Sequence, residues 1–420
     1  MANIRDLLIG VGFDARMAGA NKADKAVGKL TGKADGLSKA LRTASAAFAG
    51  FAVARQINSA VDASVSFGRS MGLLQTFIGG NVQRATELRD AIKDLSLEFG
   101  KPLEDMTRGV AETVSAFGDD AATLDRMRVA AEAATGGFTD TLTAVGLLSA
   151  VTKAYGDTSA AALRKVSDLS FQVIQDGQTT FPEYGHAIQM VASDAAALGV
   201  SQEEVSATFA TLLGVTGNAN RIATQYRGIL AQLKTPSAAA AKAIALLGKE
   251  GIRSGIDLVG KRGMVGAMQA LVATTDGSKE AIAALLPQQE SQGAAFALLG
   301  AQADTYARKM ARTGTATGNT ERAVRDATTG FNEAGHEFDR ATAKAQALQV
   351  ELGDKLAMPL AQLKTNALEA ATALADDLVF AFRDMGDAAE DAEPQVNALF
   401  ATVSSTVKGL ALVGTFATLQ

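Results

Sequence analysis

Leu198-Gly199-Val200-Ser201-Gln202-Glu203-Glu204-Val205-Ser206-Ala207-Thr208-Phe209-Ala210-Thr211-Leu212-Leu213 holds a whole helix boundary in sixteen residues. Gly199 closes an apolar-periodic segment that begins after Pro182 and carries Tyr184, Ile188, Val191, Ala195 and Leu198 at helical spacing. Ser201 and Glu204 stand three apart. That is the spacing of a capping box, in which hydroxyl and carboxylate each satisfy an orphan amide at the start of a helix. Val205, Phe209, Leu212 and Leu213 then line the face of the next helix.

The same grammar extends in both directions. One helix aligns Leu88, Ile92, Leu95 and Phe99 and stops at Gly100. The next starts at Pro102, where a missing N–H costs nothing, and aligns Leu103, Met106, Val110, Val114 and Phe117. Further faces follow, formed by Leu142, Val145, Leu148 and Val151, by Leu163, Val166, Leu169 and Val173, and by Ile222, Tyr226, Ile229 and Leu233. None of the six prolines interrupts a convincing apolar period. Residues 60 to 300 therefore read as a run of helices of about 12 to 18 residues.

Composition supports an all-α chain. Hydrophobic residues make up 47 %, yet aromatic residues only 5 %, and tryptophan is absent, so the apolar stock is mostly alanine, leucine and valine. These favour many small helix-helix contacts over one thick core, which predicts an extended multi-helix array. Ile4 to Phe13 alternate weakly and suggest a short amino-terminal strand. A basic helix follows, with Lys22, Lys25, Lys29, Lys33 and Lys39. Few aromatics interleave with these lysines, which argues for a solvated face and against nucleic-acid binding.

Beyond residue 320 the period changes from helical to heptad. Val324, Phe331, Phe338, Ala345 and Leu352 recur every seven residues, with Ala327, Ala334, Ala341 and Leu348 three places after the first four. A seam of about four heptads marks a coiled coil or a long two-helix contact, and Val324, Phe331, Phe338, Ala345, Leu348 and Leu352 are its candidate bundling residues. The expected organisation is a strand and basic helix over 1–58, a helical core over 59–312, long helices with the seam over 320–393, and an apolar segment over 394–420. Two apolar stretches, Ala44 to Ala54 and Val407 to Leu419, fall short of the roughly 18 to 20 residues that span a bilayer. The chain stops inside the second, as a fragment or short version of a longer protein does.

Catalytic chemistry has little to work with. No cysteine is present, which removes disulfides, iron-sulfur clusters and thiolate zinc sites. The two histidines, His186 and His336, lie 150 residues apart with no nucleophile elbow beside them. His336-Glu337 opens like a zinc-protease motif, but Arg340 occupies the second ligand's place. Gly255-Ile-Asp-Leu-Val-Gly260-Lys261 has the spacing of a phosphate-binding loop, but Arg262 stands where a Ser or Thr must hold magnesium. No catalytic, cofactor-binding or metal site is expected, and no enzymatic activity.

With those residues in view, Val61 to Gly300 resembles the core of phage tail tape-measure proteins of the TP901 type. Ala63-Ser-Val-Ser-Phe67-Gly resembles the opening helix, Leu95-Ser-Leu-Glu-Phe-Gly100-Lys-Pro-Leu-Glu-Asp-Met106 the helix-loop-helix, and Leu198-Gly-Val-Ser201-Gln-Glu-Glu204 the best-marked boundary. The family's glycine-rich element appears as Gly217-Asn-Ala-Asn-Arg-Ile-Ala-Thr224-Gln-Tyr-Arg227, with two glycines replaced. The resemblance implies a structural protein of the virion tail lumen, made in the host cytoplasm, that sets tail length and leaves on DNA ejection. It implies as partners its own copies in a bundle, the tail tube protein, tail assembly chaperones and tail tip or baseplate proteins. It also implies that apolar segments such as Val407 to Leu419 meet the host membrane. The competing expectation is a membrane-active, pore-forming helical protein.

Overall fold

A computed structural model describes residues 59–355 and 357, and every regular element among them is helical. The suggested strand at 4–13, the basic helix, the part of the expected long helices beyond residue 357 and both short apolar stretches lie outside the described residues. We number the helices in chain order: α1 over 59–77, α2 Val82–Phe99, α3 Leu103–Phe117, α4 Thr123–Gly136, α5 Thr141–Tyr155 and α6 Ala160–Asp176. Next come α7 Phe181–Gln189, α8 Ala192–Ala197, α9 Gln202–Thr216, α10 Ala219–Lys234, α11 Ala238–Leu246 and α12 Gly255–Ala273. The last are α13 Lys279–Leu285, α14 Gln289–Leu299, α15 Ala303–Thr313, α16 Asn319–Thr328 and α17 over 333–355.

Local sequence sets the boundaries. Asn81, Asp140, Ser159, Ser201, Asn218, Ser237, Ser254 and Ser278 each sit at an N-cap and accept from the amide three residues on, satisfying one of the four donors every helix start leaves open. A complete capping box occurs at Thr180 and Glu183, where each side chain takes the other's backbone amide. Gly217 ends α9 at φ 62° and Gly100 ends α2 at φ 66°, left-handed conformations that only glycine adopts without strain.

Helix α9 is the centre of the larger apolar cluster. Every residue from Glu204 to Leu213 is buried, and a helix enclosed on all sides must hide its polar groups as well as its apolar ones. Thr208 and Thr211 do so by donating to the carbonyls of Glu204 and Ala207, at 2.8 and 2.7 Å. Helices α6, α10 and α15 pack around it. Phe209 stands edge-on between Tyr184 and Tyr226, with ring centres 5.6 and 6.0 Å away. A smaller cluster joins α1, α2 and α3 through Phe67, Leu74, Leu88, Ile92, Leu95, Met106 and Val110. Three aromatics thus meet where three helices join, and the expected extended array instead folds back on itself over 59–353.

The return path accounts for that closure. After α15 the chain comes back to α6, and α16 packs between α4 and α6. Asp168 on α6, 4 % exposed, receives the N–H groups of Gly318 and Thr320 at 3.1 and 2.8 Å, and the Thr320 hydroxyl at 2.6 Å. Asn319 adds a bond to Gln172 at 3.0 Å. The heptad stretch is consequently not one rod. Ala327 is buried in the core with α16, the chain then breaks at Thr329 to Asn332, where Gly330 takes φ 65°, and α17 begins afresh.

Asp168→Ala removes the acceptor of the Gly318 and Thr320 amides, and we expect it to lower stability by about 3 kcal/mol. A shift in the urea midpoint would measure this, together with lost amide-exchange protection at Gly318 and Thr320. A variant as stable as the parent would show that α16 is not held by this carboxylate.

Candidate functional site

Ser201 accepts from the Glu204 amide at 3.1 Å, as expected of a cap. The Glu204 carboxylate does not reach back to complete the box. It is 7 % exposed and accepts from the amide of Val265 at 3.0 Å and from the Tyr306 hydroxyl at 3.3 Å. Its neighbour is Gly263, whose φ of 70° breaks α12 into two helical segments. Glu204 therefore caps the second segment from 61 residues away. Asp105 does the same for α5, taking the Thr141 amide at 3.0 Å and its hydroxyl at 2.6 Å.

Cations close the opposite ends. Lys101 donates to Thr139 O at 2.6 Å and lies near Ala134 O, just past the last turn of α4. Lys309 donates to the last carbonyl of α6, Asp176 O, at 2.8 Å, and to Ala210 O at 2.6 Å. Burial lowers the pKa of both ammonium groups, opposed by nearby aspartates. Both favour the carbonyl-rich end of a helix dipole.

The phosphate-loop spacing at 255–261 is helix. Gly255 is the first residue of α12, and a Cβ there would lie 1.8 Å from Leu233 O, so this glycine permits a close backbone crossing. Lys261 donates to Glu250 O and Arg262 pairs with the Glu250 carboxylate. His186 is exposed on α7 and His336 half-buried on α17. Among the described residues no group of three or more His, Asp or Glu converges as metal ligands would.

The seam residues divide between two helices. Val324 is half-buried on α16. Phe331 is fully exposed at the break, and Phe338 (72 %), Ala345, Leu348 and Leu352 are exposed along one face of α17. The opposite face holds that helix to its own chain. Ala343 and Val350 are buried there, with Val350 joining the cluster of Phe67 and Leu103. Arg340 Nε donates to Leu97 O at 3.3 Å, and a Cβ on Gly353 would strike Ala60 O. Sequence reasoning finds the heptad stripe but misses the three carboxylate caps, since nothing local links partners so far apart.

The body is helical, its buried carboxylates Asp168 and Glu204 hold its own helix-start amides, and one apolar stripe is turned outward. The phage-related minor tail protein family matches residues 89–300, and the chain belongs to that family. It is thus a phage tail protein. No curated protein and no solved structure matches it. Among the described residues no helix is long and apolar enough to cross a membrane.

Burial raises the pKa of Glu204, and the bonds from Val265, Met264 and Tyr306 only partly oppose the rise. A carboxyl whose folded pKa lies above its unfolded one contributes stability fully at pH below the unfolded value, and the contribution fades as pH rises through the folded value. Glu204→Gln keeps an acceptor for Val265 and does not ionise. We expect its urea midpoint to gain on the parent between pH 4 and pH 7, and a constant difference across that range would contradict the assignment.

Proposed function

We propose that this phage tail protein is the tape-measure component, a non-enzymatic chain that lies in the tail lumen in several copies, sets the length of the tube as it polymerises, and leaves when DNA passes. The observation that carries the reading is α17, a heptad-spaced stripe exposed on the outside of a helix whose other face is already occupied. Copies that bundle need such a stripe. The TP901-type resemblance over 61–300, which overlaps the family match at 89–300, supplies the role. Its partners in this reading are further copies of the chain, the tail tube protein, assembly chaperones, the tail tip or baseplate proteins, and a host membrane met by the apolar segment at 407–419. Synthesis is in the host cytoplasm.

The absence of catalysis belongs to the same proposal. Glu204, Asp168 and Asp105, the carboxylates with the most elaborate surroundings, each hold helix-start amides, and their lone pairs are committed to the fold.

A helix rises 1.5 Å per residue, so removing the two heptads 338–351 is expected to shorten tails by about 21 Å. Averaged electron micrographs of tails from phage carrying the deletion measure this. Tails of parental length would reject a ruler role for the segment, and cell-wall hydrolysis by the purified chain would reject the non-enzymatic half of the proposal.

A further inference from the structure

The outward stripe has an internal asymmetry that selects its partner. In heptad terms, position a holds Phe331, Phe338, Ala345 and Leu352, position d holds Ala334, Ala341 and Leu348, and the flanking g positions hold Glu337, Lys344 and Glu351. All seven seam residues are exposed. Two copies running parallel would set a against a: Phe331 on Phe331 and Phe338 on Phe338, then Ala345 on Ala345, two crowded layers beside a void. The charged g positions would face Thr342 and Gln349, with no charge to meet.

Running antiparallel, a faces d. The register that seats Phe338 on Ala341 of the second copy also seats Phe331 on Leu348 and Ala345 on Ala334, so each phenylalanine meets a smaller side chain. Glu337 then lies opposite Lys344, and the two-fold axis repeats the pair. Sliding one heptad toward the carboxyl end places Glu337 against Glu351 and Lys344 against Lys344. Sliding a further heptad restores opposite charges at Lys344 and Glu351 but leaves Phe331 unpaired and sets Phe338 against Lys355. Size and charge agree on one register only.

The geometry points to a two-fold antiparallel pair of this chain, joined along residues 334–348 of α17, with Phe331 in the turn just before it. This pairing does not depend on the tape-measure reading and goes beyond it. The pair is a state of the free protein, distinct from any bundle whose copies all run in one direction.

The chain has no cysteine, so an introduced thiol is unique. In this register residue 345 faces residue 334 of the other copy and is about 16 Å, eleven residues of helix rise, from the other residue 345. We expect full-length A334C and A345C, mixed and mildly oxidised, to give a mixed disulfide dimer, and neither variant alone to link to itself. Sedimentation of the unmodified chain should show a dimer, K344E should weaken it about tenfold, and E337K/K344E should restore it. A345C linked to itself would mean a parallel pair and overturn the proposal. So would a monomer, or a double variant no tighter than K344E alone. Tail length is indifferent to all these outcomes and tests the ruler reading separately.

Discussion

Each helix in this protein begins with amides that have no partner inside the helix, and the fold depends on where those amides find acceptors. An unpaired amide shut away from water costs about as much as a lost hydrogen bond, so a chain of many short helices carries a large number of such debts. Most starts are settled locally by Ser, Thr, Asn or Asp at the N-cap. A carboxylate from another helix adds to the local cap of α5 (Asp105) and serves the second half of α12 (Glu204) and α16 (Asp168). Lys101 and Lys309 treat the carbonyl ends of α4 and α6 in the same manner. These groups tie helices together at their tips, where apolar packing alone fixes neither register nor partner.

The division between local and distant caps is also the division between what sequence reasoning reaches and what it does not. Helix-start residues followed by a 3.6-residue apolar period can be read from a short window, and so can the glycines at 100 and 217 that end helices in left-handed conformation. Glu204 shows the limit. Its spacing from Ser201 satisfies the capping-box pattern, but Glu204 is the first buried residue of α9 and its carboxylate meets Val265, and Thr180 with Glu183 forms the complete box instead. Asp168 and Thr320 are separated by 152 residues, and no periodicity relates them. The seam was legible as a period of seven but not as two helices, because the break at Thr329 to Asn332 is set by the clamp on α16 and lies within an unbroken heptad count.

Composition misleads in a related way. A low aromatic content suggests thin contacts spread along an array, and the alanine-rich faces of α4 and α11 fit that picture. Yet Tyr184, Phe209 and Tyr226 meet in one place, and a few large rings at the junction of three helices are enough to enclose a core. Average composition says how much apolar surface exists, while its distribution along helical faces decides whether that surface converges.

The two kinds of cap have different consequences for a protein that changes state. A helix capped by its own flanking residue keeps that cap when its neighbours leave. One capped by Asp168 or Glu204 loses it. Unstacking the core therefore breaks a small number of long-range polar bonds and the apolar faces, and leaves most helix starts intact. From α2 to α16 the helices run from 6 to 19 residues, and since isolated helices shorter than about 12 to 15 residues barely form in water, most rods released in this way need another apolar face to remain helical. Helix α17 already has that arrangement within the folded chain: one face on its own core, the other open and spaced in heptads for a partner. A chain that exchanges intramolecular for intermolecular helix contacts needs both faces, and α17 is where the described structure presents them together.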